Sequence, residues 1–175
     1  MLKLMSVFMI LTDTIIAFMD KGKKMKNRLM IKGSVVIRNA DTGEILAENH
    51  NMVVARGRTA ILELVAGITN VGVTWLALGT SSTTPADTDY KLGSEACRSQ
   101  LIEKTVSGDS IILSTFFNGG GAGVNSVFEE AGLFGGSGAG ATINSGTLYA
   151  HTLVSFDNSS ANNLTATWTL TLSNQ

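Results

Sequence analysis

Apolar and polar residues alternate along several short stretches of the chain, which is the pattern of half-buried β-strands. In residues 29–38, three apolar side chains share one face of the predicted strand, namely Ile31, Val35 and Ile37. Residues 39–43 supply turn chemistry, since Asp accepts local backbone hydrogen bonds and Gly tolerates a positive φ. Residues 44–54 are therefore predicted to return as the second arm of a hairpin.

The clearest alternation lies near the end of the chain, in residues 164–172. Apolar side chains are predicted to face inward at every second position, namely Leu164, Ala166, Trp168, Leu170 and Leu172. Threonine occupies the positions between them, as expected of a half-exposed pleated face. A compact apolar run predicts a buried strand at residues 73–79, and further strands are predicted at residues 98–106, 110–117 and 147–156.

One segment changes to a helical period. In residues 58–66, four apolar residues fall on one side of a predicted helix, namely Ile61, Leu62, Val65 and Ala66. Gly67 is placed to end that helix, because glycine readily adopts the left-handed conformation found just past a helix terminus. The sequence therefore predicts one short amphipathic helix.

Short strands joined by polar turns, with only one helix, predict a mainly β fold. We expect an antiparallel β-sandwich or barrel of the jelly-roll or immunoglobulin-like kind. A parallel α/β fold is excluded because its crossover helices are missing. Glycine-rich residues 118–123 and 135–146 are predicted to be flexible connections. Residues 29–175 form the predicted β-sandwich domain, and residues 1–28 a separate N-terminal arm or upstream extension.

The apolar run in residues 1–19 resembles a signal or anchor helix, but Lys3 and Asp13 interrupt it. A charge near the middle of a membrane helix costs about 2.5–3.5 kcal/mol on insertion scales. The lysine cluster follows the run, and no small-residue cleavage site is present, so a cleaved signal is not expected. Three interpretations stay open: translation that begins at Met19 or Met25, an amphipathic arm that docks on a partner, and a membrane anchor.

Charge is scarce and unevenly distributed. Of the 175 residues, 44% are hydrophobic and only 15% are charged, with a formal net charge of -1. Residues 1–28 hold six Lys/Arg and two Asp, so the rest of the chain carries a net charge of -5. Nucleic-acid binding by this remainder is not expected, because no Lys/Arg cluster is present to contact phosphates. A weakly charged polar surface suits a protein that neighbours partly cover.

Chemical motifs are sparse. The single cysteine, Cys97, excludes an internal disulfide and a cysteine-based zinc site. Neither histidine has a carboxylate or cysteine nearby at metal-ligand spacing. His50 is interpreted as a solvated residue, and His151 as a satisfied histidine on an edge strand. Glu129 and Glu130 would point to opposite faces of a strand, one paired with a cation and the other solvated.

Three further patterns resemble known functional motifs, but their sequence context excludes each of them. The glycine runs at 119–121 and 135–138 are not followed by Gly-Lys-Ser/Thr and do not join a strand to a helix. The Asp-Thr-Gly triplet at 41–43 has no second copy, which an aspartic protease needs. No serine lies in a Gly-x-Ser-x-Gly elbow. No catalytic, cofactor-binding or metal-binding residue is therefore predicted, and we do not expect an enzyme.

An ordered set of segments resembles small virion proteins of tailed bacteriophages. The resemblance covers most of the chain from about residue 30 onward, and the segments that carry it are 40–54, 75–85, 87–98, 130–134 and 148–156. The resemblance implies a β-rich capsid decoration (cement) protein, or a protein of the tail tip or fibre base. It does not decide between capsid and tail.

The resemblance also sets the expected partners and location. We expect the protein to bind copies of itself and other virion proteins, above all the major capsid protein, without nucleic acid, cofactor or membrane. It would be made in the host cytoplasm and reside in the virion. A carbohydrate-binding module is the remaining alternative, because aromatic rings could stack on sugars, namely Trp75, Tyr90, Tyr149 and Trp168. The alternation around Trp168 favours core packing for that residue.

Overall fold

The computed structural model describes residues 29–174. This part of the chain is mainly β, as predicted, and contains a single helix. The elements are β1 (Leu29–Asn39), β2 (Ile45–Val53), α1 (Ala55–Val65), β3 (Val73–Gly79), β4 (Glu95–Gln100), β5 (Glu103–Ser107), β6 (Ser110–Phe117), β7 (Val127–Gly135), β8 (Thr147–Asp157) and β9 (Leu164–Asn174). Within the described residues, no helix is long and apolar enough to cross a membrane.

The nine strands form one antiparallel sheet in the order β4-β3-β7-β8-β2-β1-β9-β6-β5, which curls into a half-barrel. The predicted hairpin of β1 and β2 is present. Its turn is fixed by Asn39, whose side-chain oxygen accepts hydrogen bonds from the backbone N–H groups of Asp41 at 2.9 Å and Thr42 at 3.1 Å. Gly43 has a φ of +76°, the left-handed conformation that the turn requires.

The predicted strand at residues 98–106 is wrong as a single element. The chain turns at Leu101 and Ile102, so β4 and β5 lie at opposite edges of the sheet. The N–H of Leu101 donates to the carbonyl oxygen of Thr74 at 2.9 Å, and the N–H of Ile102 donates to that of Ser114 at 2.9 Å. This corner brings the two edges of the curled sheet together at one end.

The sheet is nearly divided between β2 and β8, which pair at only two positions. Beyond those pairs, side chains bridge the two strands. Asn49 donates its amide N–H to the carbonyl oxygen of Leu153 at 3.0 Å, and the Thr152 hydroxyl donates to that of His50 at 2.7 Å. The two parts of the sheet can therefore face each other across a common core.

The core lies inside the curl and draws on both parts of the sheet. Trp168 on β9 is fully buried, as predicted, and lies directly opposite Leu113 of β6. Its indole N–H donates to the Asn51 side-chain oxygen at 3.0 Å. The inward pattern of β9 weakens beyond Trp168, because Leu170 is only half-buried and Leu172 is 45% exposed.

Strand β7 was not predicted, yet it lies between β3 and β8 and is buried along most of its length. Its alternate side chains face two different apolar clusters. Leu133 belongs to the main core, whereas Phe134 belongs to a second cluster on the outer face, together with Ala77, Leu92 and Leu148.

Helix α1 begins one turn earlier than predicted and ends as expected. The N–H of Gly67 donates to the Leu64 carbonyl oxygen at 3.1 Å, and the N–H of Ile68 donates to that of Glu63 at 2.9 Å. With Gly67 at a φ of +69°, these bonds form a Schellman motif. The predicted apolar side is only partly the packed side. Ile61 packs against the core, whereas Leu62, Val65 and Ala66 are exposed, and the buried residues of α1 are Gly57 and Ala60.

The predictions for residues 1–28 concern a segment outside the described residues.

Candidate functional site

Three ionisable side chains meet on the outer face of the sheet, beneath the segment of residues 80–94, which we call the cover loop. Glu130 comes from β7, His151 from the neighbouring strand β8, and Asp89 from the cover loop. His151 Nδ1 lies 2.8 Å from Asp89 Oδ2, and His151 Nε2 lies 3.0 Å from Glu130 Oε2. Each ring nitrogen of the histidine therefore contacts its own carboxylate.

Backbone donors hold Glu130 in place. Its carboxylate accepts hydrogen bonds from the N–H groups of Ser94 at 2.7 Å and Gly93 at 2.9 Å, with a longer contact to that of Ser81 at 3.4 Å. The side chain is fully buried. Gly79 leaves room for it, because a Cβ at that position would lie 2.5 Å from Glu130 Oε1. Both ends of the cover loop are thus attached to one carboxylate.

The hydrogen bonds shift the titration of both buried groups. Burial by itself disfavours the charged form of His151, but the hydrogen bonds to Glu130 and Asp89 outweigh it and raise the pKa above the ordinary 6.5. For Glu130, burial acts to raise the pKa, and the bonds from His151, Ser94 and Gly93 reverse that effect, so its pKa falls below the ordinary 4.5. The favoured state is an imidazolium between two carboxylates.

This arrangement is suited to holding structure together. A histidine that donates from both ring nitrogens has no lone pair with which to accept a proton from a nucleophile. Burial of an ion is tolerated only when its partners are well placed, and here the two carboxylates around His151 are supplied by β7 and by the cover loop. The role that this geometry supports is structural: the three side chains attach the cover loop to the sheet.

A second buried ion pair joins Glu95 and Arg98 on β4. The guanidinium contacts the carboxylate through two bonds, from Nε at 2.5 Å and from Nη2 at 2.8 Å. Both side chains are almost completely buried. The guanidinium carbon lies 4.5 Å from the ring centroid of Phe134, a cation–π contact that the loss of water strengthens.

The same arginine fixes the glycine-rich connection between β7 and β8. Arg98 Nη1 donates to the carbonyl oxygens of Gly140 and Ser145, each at 3.0 Å, and the N–H of Asn144 donates to Glu95 Oε2 at 2.8 Å. These bonds attach the glycine-rich connection of residues 135–146 to β4. At the other run, the N–H of Gly119 donates to the Asn163 side-chain oxygen at 3.0 Å.

An exposed apolar surface lies on α1 and the turn that follows it. It consists of Leu62, Val65 and Ile68, which are 67%, 82% and 77% exposed, and we call it the α1 stripe. Arg58 lies one turn before Leu62 on the same side of the helix, where it is paired with Asp87 at 2.7 Å. The surface thus has an aliphatic centre and an ion pair at one end.

Two grooves border these features. One, of about 340 Å³, lies beside His151 and is lined by Asn49, His50, Asn51, Met52, Thr84, Pro85, Thr152 and Leu153. The other, of about 410 Å³, lies beside α1 and is bordered by polar loop residues that include Ser137 and Thr69. In the described part of the chain, no group of three or more His, Cys, Asp or Glu side chains is arranged to hold a metal ion.

The aromatic residues suggested for sugar stacking do not form a common platform. Trp168 and Tyr149 are buried, and Trp75 is half-buried against the outer-face cluster of Leu92 and Phe134. Tyr90 is exposed, with the Arg56 guanidinium carbon 5.4 Å and Lys91 Nζ 5.6 Å from its ring centroid. Only one of the four rings is therefore fully available at the surface.

The sequence interpretation located some of these residues correctly. His50 is exposed, as expected, and His151 is satisfied. Its assignment to an edge strand is wrong, because β8 lies between β7 and β2. Glu130 pairs with a cation, as expected for one of the two glutamates. Cys97 is a free thiol whose pKa burial raises to about 12, which makes it a poor nucleophile.

Comparison with known proteins gives no match to this chain. No family model matches it, and neither the curated proteins nor the solved structures contain a significant match.

Proposed function

We propose that this chain is a non-enzymatic virion structural protein, and specifically a capsid decoration protein that binds the assembled shell and stabilises it. The observation that carries the proposal is the α1 stripe. Such a protein needs a rigid body and an apolar surface that becomes buried against a partner. Major capsid protein and further copies of this chain are the proposed partners.

The energetics of the stripe favour association. Leu62 and Val65 lie three residues apart on α1, Ile68 follows in the turn after the helix, and all three are mostly exposed. Complete burial of one such side chain contributes about 1.5–3 kcal/mol. A standard interface covers roughly 800 Å² on each partner, which is more than three side chains provide. The polar loops around the neighbouring groove would supply the rest, as a polar rim surrounds the apolar centre of many interfaces.

The buried charges support the structural part of the proposal. Both buried ion clusters attach loops to the sheet, one at the cover loop and one at the connection between β7 and β8. A decoration protein benefits from loops of fixed shape, because ordering a mobile loop on binding reduces affinity. The arrangement of His151, with both ring nitrogens occupied, favours this role over proton transfer.

We also propose that the curled sheet has the architecture of a β-sandwich of the jelly-roll or immunoglobulin-like kind. Its layers would meet at the two-residue pairing of β2 with β8 and at the corner between β4 and β5. The single core between the two parts supports this description.

Co-sedimentation tests the function. The probe is an empty shell assembled from the major capsid protein of the same genome, mixed with the full chain at about 0.1 M and 0.5 M salt, where screening lengths are about 10 Å and shorter. We expect binding at both concentrations, because apolar and hydrogen-bonded contacts depend weakly on salt. A steep loss with salt would indicate a polyanion ligand instead.

Matched variants connect the binding to the stripe. Val65→Ser and Val106→Ser make the same change at valines that are 82% and 73% exposed, and Val106 lies on β5 rather than on the stripe. We expect Val65→Ser, and more strongly Leu62→Ser/Val65→Ser, to weaken shell binding by about tenfold for each 1.4 kcal/mol lost. Val106→Ser should bind as the wild type does. A monomer that ignores shells at both salt concentrations refutes the decoration role and favours a tail-tip, fibre-associated or sugar-binding protein.

A further inference from the structure

The cover loop is held at two levels. Its ends are attached through Ser81, Gly93 and Ser94, whose N–H groups point at Glu130. Its tip is attached to the strands below through Asp89, which contacts His151 at 2.8 Å. The ends of the cover loop are held by backbone N–H donors, which do not titrate. The contact at the tip is held by His151, whose ring gains or loses a proton with pH.

The two carboxylates around His151 differ in their freedom to move. Glu130 is fully buried and accepts two short backbone hydrogen bonds in addition to its contact with the histidine. The Asp89 side chain is 27% exposed, and its other bond, from the N–H of Ala86 at 2.8 Å, lies within the cover loop. Asp89 can therefore turn towards water together with the tip, while Glu130 cannot.

We propose that the contact between Asp89 and His151 is a proton-controlled latch that opens the groove beneath the tip of the cover loop. Protonated His151 holds both carboxylates. When the ring loses a proton, one nitrogen presents a lone pair to a carboxylate, and the more mobile partner, Asp89, is released. The groove that would widen is bordered by Thr84 and Pro85 of the tip and by His151 at its base.

Each element packed around His151 brings its own charges. β7 supplies Glu130, the cover loop supplies Asp89, and β2 supplies the exposed His50, which lines the same groove. Two other charged residues of the cover loop lie on either side of Asp89. Asp87 is paired with Arg58 of α1, and Lys91 lies near the ring of Tyr90. Asp87 lies in the tip between Pro85 and Asp89 and stays attached to α1 through its pair with Arg58 and the bond from the N–H of Ala55 to its carbonyl oxygen at 2.9 Å. The release is therefore confined to the contact of Asp89 with His151 and the residues next to it.

The direction of the effect follows from the contacts. Since the pKa of His151 is raised above 6.5, the latch is closed below that pH and opens as the pH rises through the raised value. Glu130 keeps its backbone donors throughout, so the ends of the cover loop stay attached. This behaviour is independent of the proposed virion role.

Nuclear magnetic resonance of the full chain between pH 5 and about 9.5 tests the latch, over a range that brackets the ordinary histidine value. We expect the His151 ring resonances and the backbone amides of residues 84–90 to titrate with one shared midpoint above 6.5. The amides of Gly93 and Ser94 should stay hydrogen-bonded throughout. Loop amides that do not follow the His151 midpoint overturn the proposal.

Two variants and a control keep the outcome decisive. Asp89→Asn removes the mobile charge but retains an oxygen acceptor, so the His151 midpoint should fall by about one pH unit. His151→Gln should abolish the loop titration, whereas His50→Gln, at the other histidine of the groove, should leave it unchanged. If His151→Gln does not fold, Asp89→Asn decides alone: an unchanged His151 midpoint overturns the latch.

Discussion

Replacement of Trp168 by alanine removes the largest fully buried side chain of the described core. A buried tryptophan hides about 150–250 Å², which at about 25 cal/mol per Å² sets an upper bound near 4–6 kcal/mol. The variant also removes the donor to Asn51 Oδ1, on an amide whose Nδ2 is buried without a partner. We therefore expect Trp168→Ala to lower the free energy of unfolding by about 3–5 kcal/mol, towards the upper end.

Urea titration of the wild type, Trp168→Ala and Trp168→Phe separates the two contributions. Phenylalanine retains most of the apolar contact but leaves Asn51 Oδ1 unpaired, so Trp168→Phe should lose about 1–3 kcal/mol. Thr167→Ala, on the opposite face of β9, is the matched control and should change stability much less. A loss below about 1 kcal/mol for Trp168→Ala would show that β9 presents its other face to the core.

Four further predictions concern other parts of the chain. The stability difference between wild type and His151→Gln should be largest between pH 4.5 and 6.5. In urea titrations it should shrink as pH rises through the raised pKa of His151 and as pH falls through the lowered pKa of Glu130. Gly67→Ala should cost about 1 kcal/mol in thermal or urea unfolding, since its φ is +69° and open space surrounds it. Gly57→Ala should cost more despite alanine's higher helix propensity, because a Cβ there would lie 2.1 Å from the Tyr149 carbonyl oxygen. A chain beginning at Met25 should fold with an unchanged circular dichroism spectrum and melting temperature, and failure to fold would place the preceding residues in the core.

Most strands could be predicted because their cause is local. Half-buried strands such as β1 and β9 alternate between core and solvent, and that period is visible in the sequence. The strand bounds of β3 and the start of β8 also follow from the ends of apolar runs. The helix terminus was equally predictable, since Gly67 acts through its own φ and the hydrogen bonds of its neighbours.

The missed strand has a physical explanation. β7 lies in the interior of the sheet and packs on both faces, so its residues do not alternate between apolar and polar. Its two adjacent glutamates and its glycines resemble a loop. Glu130 is tolerated there because His151 and backbone donors compensate its charge, and Gly132 leaves room for the Leu92 side chain, which would lie 2.9 Å from an added Cβ. The partners of Glu130 and the Leu92 side chain beside Gly132 come from segments distant in the sequence, so they leave no signal within the sequence of β7 itself.

The break between β4 and β5 is only weakly visible in the sequence. Leu101 and Ile102 are adjacent apolar residues between two polar stretches, residues 98–100 and 103–105, and they mark the point where the chain crosses from one sheet edge to the other. No glycine or proline signals the corner. The bonds that fix it reach Thr74 and Ser114, and a pairing of this kind depends on the whole sheet being assembled.

The charged cluster could not be predicted from spacing. His151 is separated by 62 residues from Asp89 and by 21 from Glu130, so neither carboxylate lies within a motif around the histidine. The usable signal was Glu130 itself, a charged residue beside an apolar run, which requires a partner when buried. The identity of that partner follows from the order of β7 and β8 in the sheet.

Helix α1 provides the link between packing and the proposed interface. Gly57 and Ala60 are the buried residues of the helix, and the small side chains let its backbone approach Tyr149 closely. Burying Leu62 and Val65 instead would require the helix to turn and move away from β8, which would lose this contact. The fold therefore leaves Leu62 and Val65 exposed to water, although Ile61 packs against the core. This exposure costs free energy that an isolated monomer does not recover. Burial against a partner surface would recover that free energy, which is the reason for assigning the proposed association to the α1 stripe.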